Sequence, residues 1–172
     1  ARLGLAEMIA SGTTCIADMY MHTGTIAQAV LESGISANLS CGGVYFGDPA
    51  DFSPEKCGDC QNQTALTREW HGAGEGQILV DASIHGEYTS SAPLWRWMAD
   101  FAQKHGLGMH VHISETKKEH EECKARHGGL TPIQVLDRYG VWENGGHAAH
   151  CVWVTEEDVA IMAQKNITAV HN

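Results

Sequence analysis

Positive charge is what this chain has least of: eleven Lys and Arg stand against twenty-one Asp and Glu, a formal net charge of -10 over 172 residues. Phosphate backbones and anionic membranes are held by clustered Lys and Arg, so no nucleic-acid or membrane-surface partner is expected. Long apolar runs are also missing, since nothing approaches the roughly 18 residues of a membrane span. The first residues carry no basic-then-apolar signal pattern, and a cytoplasmic location is the expectation. Neither a GxGxxG fingerprint nor a P-loop is present, which argues against a nucleotide-binding open sheet. Of the six cysteines (Cys15, Cys41, Cys57, Cys60, Cys123 and Cys151), only Cys57 and Cys60 have CxxC spacing. A structural zinc site needs four ligands and no second CxxC follows, and a redox disulfide lacks the strand-to-helix context of a thioredoxin motif, so free thiols in an irregular loop are expected.

What is present is ordinary globular material, 43% apolar and 19% charged. The length suffices for one compact domain over residues 1–172. One pattern recurs: an apolar helical stripe, a glycine or its substitute, then a short β-rich run. It appears in EMIASG-TTCIADMY, AVLESG-ISANLS, FAQKHG-LGMHVHIS, VLDRYG before GGHAAHCVWV, and IMAQKN-ITAVHN. Glycine past a helix end supplies the left-handed residue that stops it, and Asn166 is the usual substitute. Leu94, Trp97, Met98, Phe101 and Ala102 make one apolar helix face. Thr116 and Glu119 make a capping box that starts a helix after LGMHVHIS. Strands are expected at about 13–20, 35–41, 77–85, 107–113, 147–153 and 167–171. The segment of about 42–76 reads as an irregular loop insertion with a helix around Thr64 to Trp70. Strands that alternate with helices run parallel, leaving a doubly wound sheet or a (β/α)8 barrel of which about six strands are present.

Parallel α/β folds place their chemistry at the carboxyl ends of the strands. That rule selects His85, His112, His150 and His171, late in expected strands, and His22 just beyond one. His105, His120 and His127 fall on helices and His71 in the loop, as ordinary surface or packing residues. The run from Met109 to Glu115 is the sharpest local feature. His110 and His112 share one face of a strand, and Glu115 follows where the strand gives way to the capped helix. A neutral imidazole binds zinc or iron, the metal makes a bound water acidic enough to supply hydroxide, and a nearby Glu moves its proton. His150, ending the next strand, is suited to orient that water or to bind the metal. His110 is read as a packing residue.

HVHISET, AAHCVWVTEED and the terminal VHN, in that order and spacing, closely resemble the amidohydrolase superfamily. The similarity is to the branch holding S-adenosylhomocysteine and methylthioadenosine deaminases and triazine chlorohydrolases, and EMIASGTTCIADMY resembles that family's second barrel strand with its helix. The resemblance implies an incomplete TIM-like (β/α)8 metal-dependent hydrolase barrel, strands two to seven, that is, a fragment of a longer enzyme. It implies hydrolytic deamination, or dechlorination-type displacement, on a heteroaromatic ring such as a purine, pyrimidine or triazine. By position, His112 matches a metal ligand, Glu115 the proton-shuttling carboxylate, His150 the histidine at the attacking water near the metal, and His85 a substrate-ring contact. The cofactor implied is one divalent metal, zinc or iron. The His-x-His pair and the strand-end Asp of the family site lie outside this sequence, so weak or absent metal binding by this polypeptide alone is expected. Cys41 stands where the nucleoside-thioether deaminases have an arginine for the substrate carboxylate, with Lys56 the only basic residue nearby. A competing reading is a non-catalytic α/β half-barrel that pairs with another copy through its open edge strands.

Overall fold

The computed structural model describes residues 1–172. Helix α1 (Arg2–Ala10) leads to β1 (Cys15–Met19), α2 (Thr23–Ser33) and β2 (Ser36–Ser40). After a long loop come α3 (Gly58–Trp70), the single turn α4 (Ala73–Gly76), β3 (Ile78–Val80) and β4 (Ala82–Ser83). The chain continues through α5 (Ala92–His105), β5 (Met109–Ile113), α6 (Lys117–Arg126), α7 (Pro132–Arg138), β6 (Gly146–His150), α8 (Glu156–Gln164) and β7 (Ile167–Val170). Every strand pairing is parallel, in the orders β1-β2-β3 and β4-β5-β6-β7. This is the alternating parallel α/β wall of a partial barrel. No helix is long and apolar enough to cross a membrane.

The helix-stop reading holds in detail: Gly34 and Gly106 cap α2 and α5 with left-handed backbone, and Asn166 takes the same conformation ahead of β7. Three expectations need correction. The expected strand over 77–85 is divided at Asp81, whose N–H still donates to Leu39 O at 3.1 Å while that of Ala82 donates to Gly108 O at 3.0 Å. The run thus leaves β2 and joins β5, carrying the wall from one sheet to the next. The expected strand over 147–153 ends at His150, because His150 and Cys151 both turn left-handed. The helix expected around Thr64 begins at Gly58 instead, so Cys57 and Cys60 lie at a helix start and not in an irregular loop.

Burial follows the apolar pattern. The larger core cluster joins Ile84, Leu94, Met98, Met109, Val111, Ile113, Ile133, Leu136 and Trp142, and a smaller one under α1 and α2 joins Leu5, Val30, Leu39 and Ile78. Each such side chain contributes about 1.5–3 kcal/mol by leaving water. On α5, Trp95 takes the deep position with its Nε1 donating to Ser90 Oγ at 2.7 Å, while Trp97, read as a core residue, stacks at the edge of the face on Phe101. Gly146 is required where β6 meets β5: a Cβ there would come within 2.0 Å of Met109 O.

The inner face of the wall carries polar residues that bond each other. His110 Nδ1 lies 3.0 Å from Ser40 Oγ, and His147 Nδ1 lies 2.8 Å from Asp81 Oδ2, which also accepts from Asn38 Nδ2 at 3.0 Å. Reading His110 as a packing residue agrees with its burial, 5% exposed. Burial, reinforced by the adjacent His147, pushes its pKa down from 6.5 to about 4. The hydrogen bond to Asp81 raises that of His147. Between pH about 4 and 6.5 the unfolded chain binds the His110 proton that the folded chain refuses, so this residue makes stability rise with pH in that window. His147 acts oppositely: its contribution is complete below the unfolded value and is lost as pH rises through its elevated folded value. In a proton NMR titration, the His110 ring resonances are expected to stay fixed until the pH nears about 4, and those of His147 to move above 6.5. A His110 midpoint near 6.5 would show that its burial does not hold it neutral.

Candidate active site

Strand register brings the sequence-selected residues together. Ile113 pairs with His150 and His112 with Ala149, so the ends of β5 and β6 lie level. His112 N–H donates to His85 O at 3.0 Å, which puts His85, just beyond β4, at the same height. Ring centroids are 4.7 Å apart for His85 and His112 and 5.5 Å apart for the stacked His112 and His150. Glu115 Oε1 lies 3.6 Å from His150 Nε2. His22 follows β1 as the N-cap of α2, and His171 follows β7; neither has a ring contact with this cluster.

The bonding fixes one tautomer. His112 Nδ1 lies 2.8 Å from His85 O, a carbonyl that can only accept, so Nδ1 carries the hydrogen and Nε2 keeps a free lone pair. Metal-binding histidines are commonly oriented by this kind of Nδ1–H to carbonyl bond. His85 Nδ1 bonds Thr89 Oγ1 at 3.0 Å, and the Thr89 hydroxyl donates onward to Gly86 O, which leaves His85 Nε2 free. Burial is the main cause that lowers the His85 pKa, with the neighbouring His112 second, so the ring is neutral at pH 7.

Glu115 is set by a tight turn. Glu119, known from sequence only as half of a capping box, accepts from three successive amides: Ser114 N at 2.8 Å, Glu115 N at 2.8 Å and Thr116 N at 3.4 Å. Thr116 Oγ1 accepts in return from Glu119 N at 3.1 Å. Ser114 has a left-handed backbone, as do His150 and Cys151 across from it. Such conformations are costly for non-glycine residues and concentrate at functional sites. Cys151 N donates to Ile113 O and Trp153 N to Ser114 O, tying the two strand exits to each other.

A hollow of about 480 Å³ opens at the ends of β1 and β2, lined among others by Tyr20, His22, Cys41, Asp59, Glu69 and Trp70. His85 N donates to Gly43 O at 2.8 Å, so the segment after Cys41 adjoins the histidine cluster. No Lys or Arg lines this hollow. Lys56, the one basic residue near Cys41 in sequence, does not reach it.

A family described as the amidohydrolase family matches residues 1–172. The chain belongs to the amidohydrolase family. It is 37% identical over 170 residues to the 5-methylthioadenosine/S-adenosylhomocysteine deaminase of Moorella thermoacetica, which covers 99% of this chain and 38% of that protein. An adenosine deaminase from Xanthomonas campestris with bound zinc superposes with a TM-score of 0.86 at 24% identity, covering 98% of this chain and 37% of its own. The guanine deaminase of C. acetobutylicum, solved with guanine in its active site, gives a TM-score of 0.85 at 20% identity over 98% of this chain and 42% of its own. This amidohydrolase chain thus spans about two fifths of the length of the proteins it matches.

Two features of this amidohydrolase escaped sequence reading. Buried Glu87, in the turn after β4, pairs with Arg126 at 2.5 Å and with His127 at 2.7 Å, clamping the His85 turn to the end of α6. Cys123 joins them closely enough for one ion, but the Arg126 guanidinium occupies the carboxylate, and a cation there would have to displace it. Nothing in the spacing of these residues signals the pairing. His120, read as surface or packing, is buried with Nδ1 3.2 Å from Ser114 Oγ, so it supports the Ser114 turn. Because Glu119 alone satisfies the amides of that turn, Glu119→Ala is expected to cost about 1–3 kcal/mol in urea unfolding. A wild-type midpoint would mean that water satisfies those amides as well.

Proposed function

We propose that this chain carries the proton-transfer side and one metal ligand of a hydrolytic deaminase site acting on a heteroaromatic ring. The observation that carries the reading is the meeting of His85, His112, Glu115 and His150 at one height, with His112 Nε2 unbonded and its other nitrogen pinned to a carbonyl. That donor set suits a divalent ion: His112 would hold it, with His150 beside it, and zinc in a related structure makes zinc the first choice. Such an ion supplies a Lewis acid that makes water nucleophilic near neutral pH.

The chain's own residues would do the rest. Glu115 takes the proton of the attacking water and returns it to the ring nitrogen or the departing amine. His150 Nε2, 3.6 Å from Glu115 Oε1, orients that water and steadies the carboxylate. Neutral His85 offers its free nitrogen to the ring. The hollow at the ends of β1 and β2, lined by Cys41, Asp59 and Glu69, offers no cation to a substrate carboxylate.

Two assays on the intact protein test this. Glu115→Gln is expected to lower ammonia release by roughly 10²- to 10⁴-fold while zinc content is unchanged; full turnover would remove Glu115 from its role. Turnover of 5-methylthioadenosine, which lacks a carboxylate, is expected to exceed that of S-adenosylhomocysteine at least ~10-fold in kcat/KM, a difference of ~1.4 kcal/mol in transition-state stabilisation. Equal values would show that the hollow does not select against the carboxylate.

A further inference from the structure

Cys57 and Cys60 have no part in the deaminase reading, yet their placement is specific. Cys57 is the N-cap of the 13-residue helix α3, with extended backbone, and Cys60 lies within its first turn. Both are free thiols, three residues apart at one helix start. Cys41, the next nearest thiol, is held apart by donating to Gln63 Oε1 at 3.2 Å. Cys57 is 9% and Cys60 1% exposed. Cys60 nevertheless edges an open groove of about 400 Å³, lined among others by Pro54, Gln61, Arg68 and Trp97. Between the two cysteines, Asp59 Oδ2 accepts from Val44 N at 2.8 Å and so anchors the loop that follows β2.

We propose that Cys57 and Cys60 form a redox-active dithiol that closes to an intramolecular disulfide by exchange with a small-molecule disulfide. Residues three apart on a helix have Cβ atoms roughly 5–6 Å apart, and a disulfide needs about 3.5–4.5 Å. Cys57 stands outside the helical backbone, so a rotation there closes the gap and leaves α3 wound. Cys57 is the less deeply buried of the two, 9% exposed against 1%, which makes it the attacking sulfur and Cys60 the resolving one.

The exchange balances. Cys57 gives its proton to solvent, and its thiolate attacks one sulfur of the small disulfide, whose S–S bond breaks to release one thiolate that is protonated. The Cys60 thiol then loses its proton and attacks the Cys57 sulfur of the mixed disulfide, releasing the second small thiol. Two cysteines are oxidised by two electrons, and one small disulfide is reduced to two thiols. Because the bridge forms around Asp59, it acts on the anchor of the loop beside the hollow.

The test treats the intact native protein with oxidised glutathione, alkylates the remaining thiols in denaturant and maps the peptides by mass. The expected product is a peptide joining Cys57 to Cys60 that lacks two hydrogens, takes no alkyl group and regains both thiols with dithiothreitol. Cys60→Ser is expected to stop at one glutathione on Cys57. Recovery of both cysteines fully alkylated, or of Cys57 bridged to Cys41, would overturn the proposal. The wild-type map decides this by itself if the variant does not fold.

Discussion

The parallel pairing of β5 with β6 sets His112 and Glu115 against His150 in the candidate site. Ile113 opposite His150 brings the two strand exits level, and Gly146 makes that pairing possible because its neighbour's backbone leaves no room for a Cβ. In a parallel ladder a slip of one residue would turn each side chain to the opposite face. His112 would then point into the apolar layer beneath α5 and α6, and Met109, Val111 and Ile113 would face the polar interior. The cost of exposing those three buried side chains holds the histidines in place.

Upon that register the polar groups separate into two levels. Deeper in the wall, His110, His147, Asp81, Asn38 and Ser40 are linked by hydrogen bonds through His110 Nδ1, His147 Nδ1 and Asn38 Nδ2. At the strand exits, His85, His112, His150 and Glu115 keep unbonded atoms facing the cleft. The distinction is one of exposure, since both levels contain histidines and a carboxylate but His110 is buried and Glu115 is exposed. Left-handed Ser114, His150 and Cys151 mark the same level.

Much of the fold was legible because its signals are local. Left-handed residues past helix ends, the Thr116 and Glu119 capping box and the apolar face of α5 each need only a few neighbouring residues to be read. The errors fall where distant parts of the chain compete. Asp81 divides an uninterrupted β-rich run because Asn38 and His147, far away in sequence, bond its side chain. Trp95 outranks Trp97 in the core because Ser90 meets its indole nitrogen. The helix start at Gly58 went unread because the segment ahead of Thr64 is polar and glycine-rich, and its burial against the sheet comes from Cys60, Gln63 and Leu66.

The sequence by itself determined the class of fold, the order of its elements and the residues able to do chemistry, since strand-end histidines and a following carboxylate are visible in one short run of chain. Only the tertiary structure decided which nitrogen of His112 is free, that Glu119 holds the turn beneath Glu115, that Glu87 is committed to Arg126, and that two cysteines share a helix start. These depend on contacts between residues separated by a strand or a helix. Their geometry is set when the wall closes and buried polar atoms must find partners, which no local pattern records.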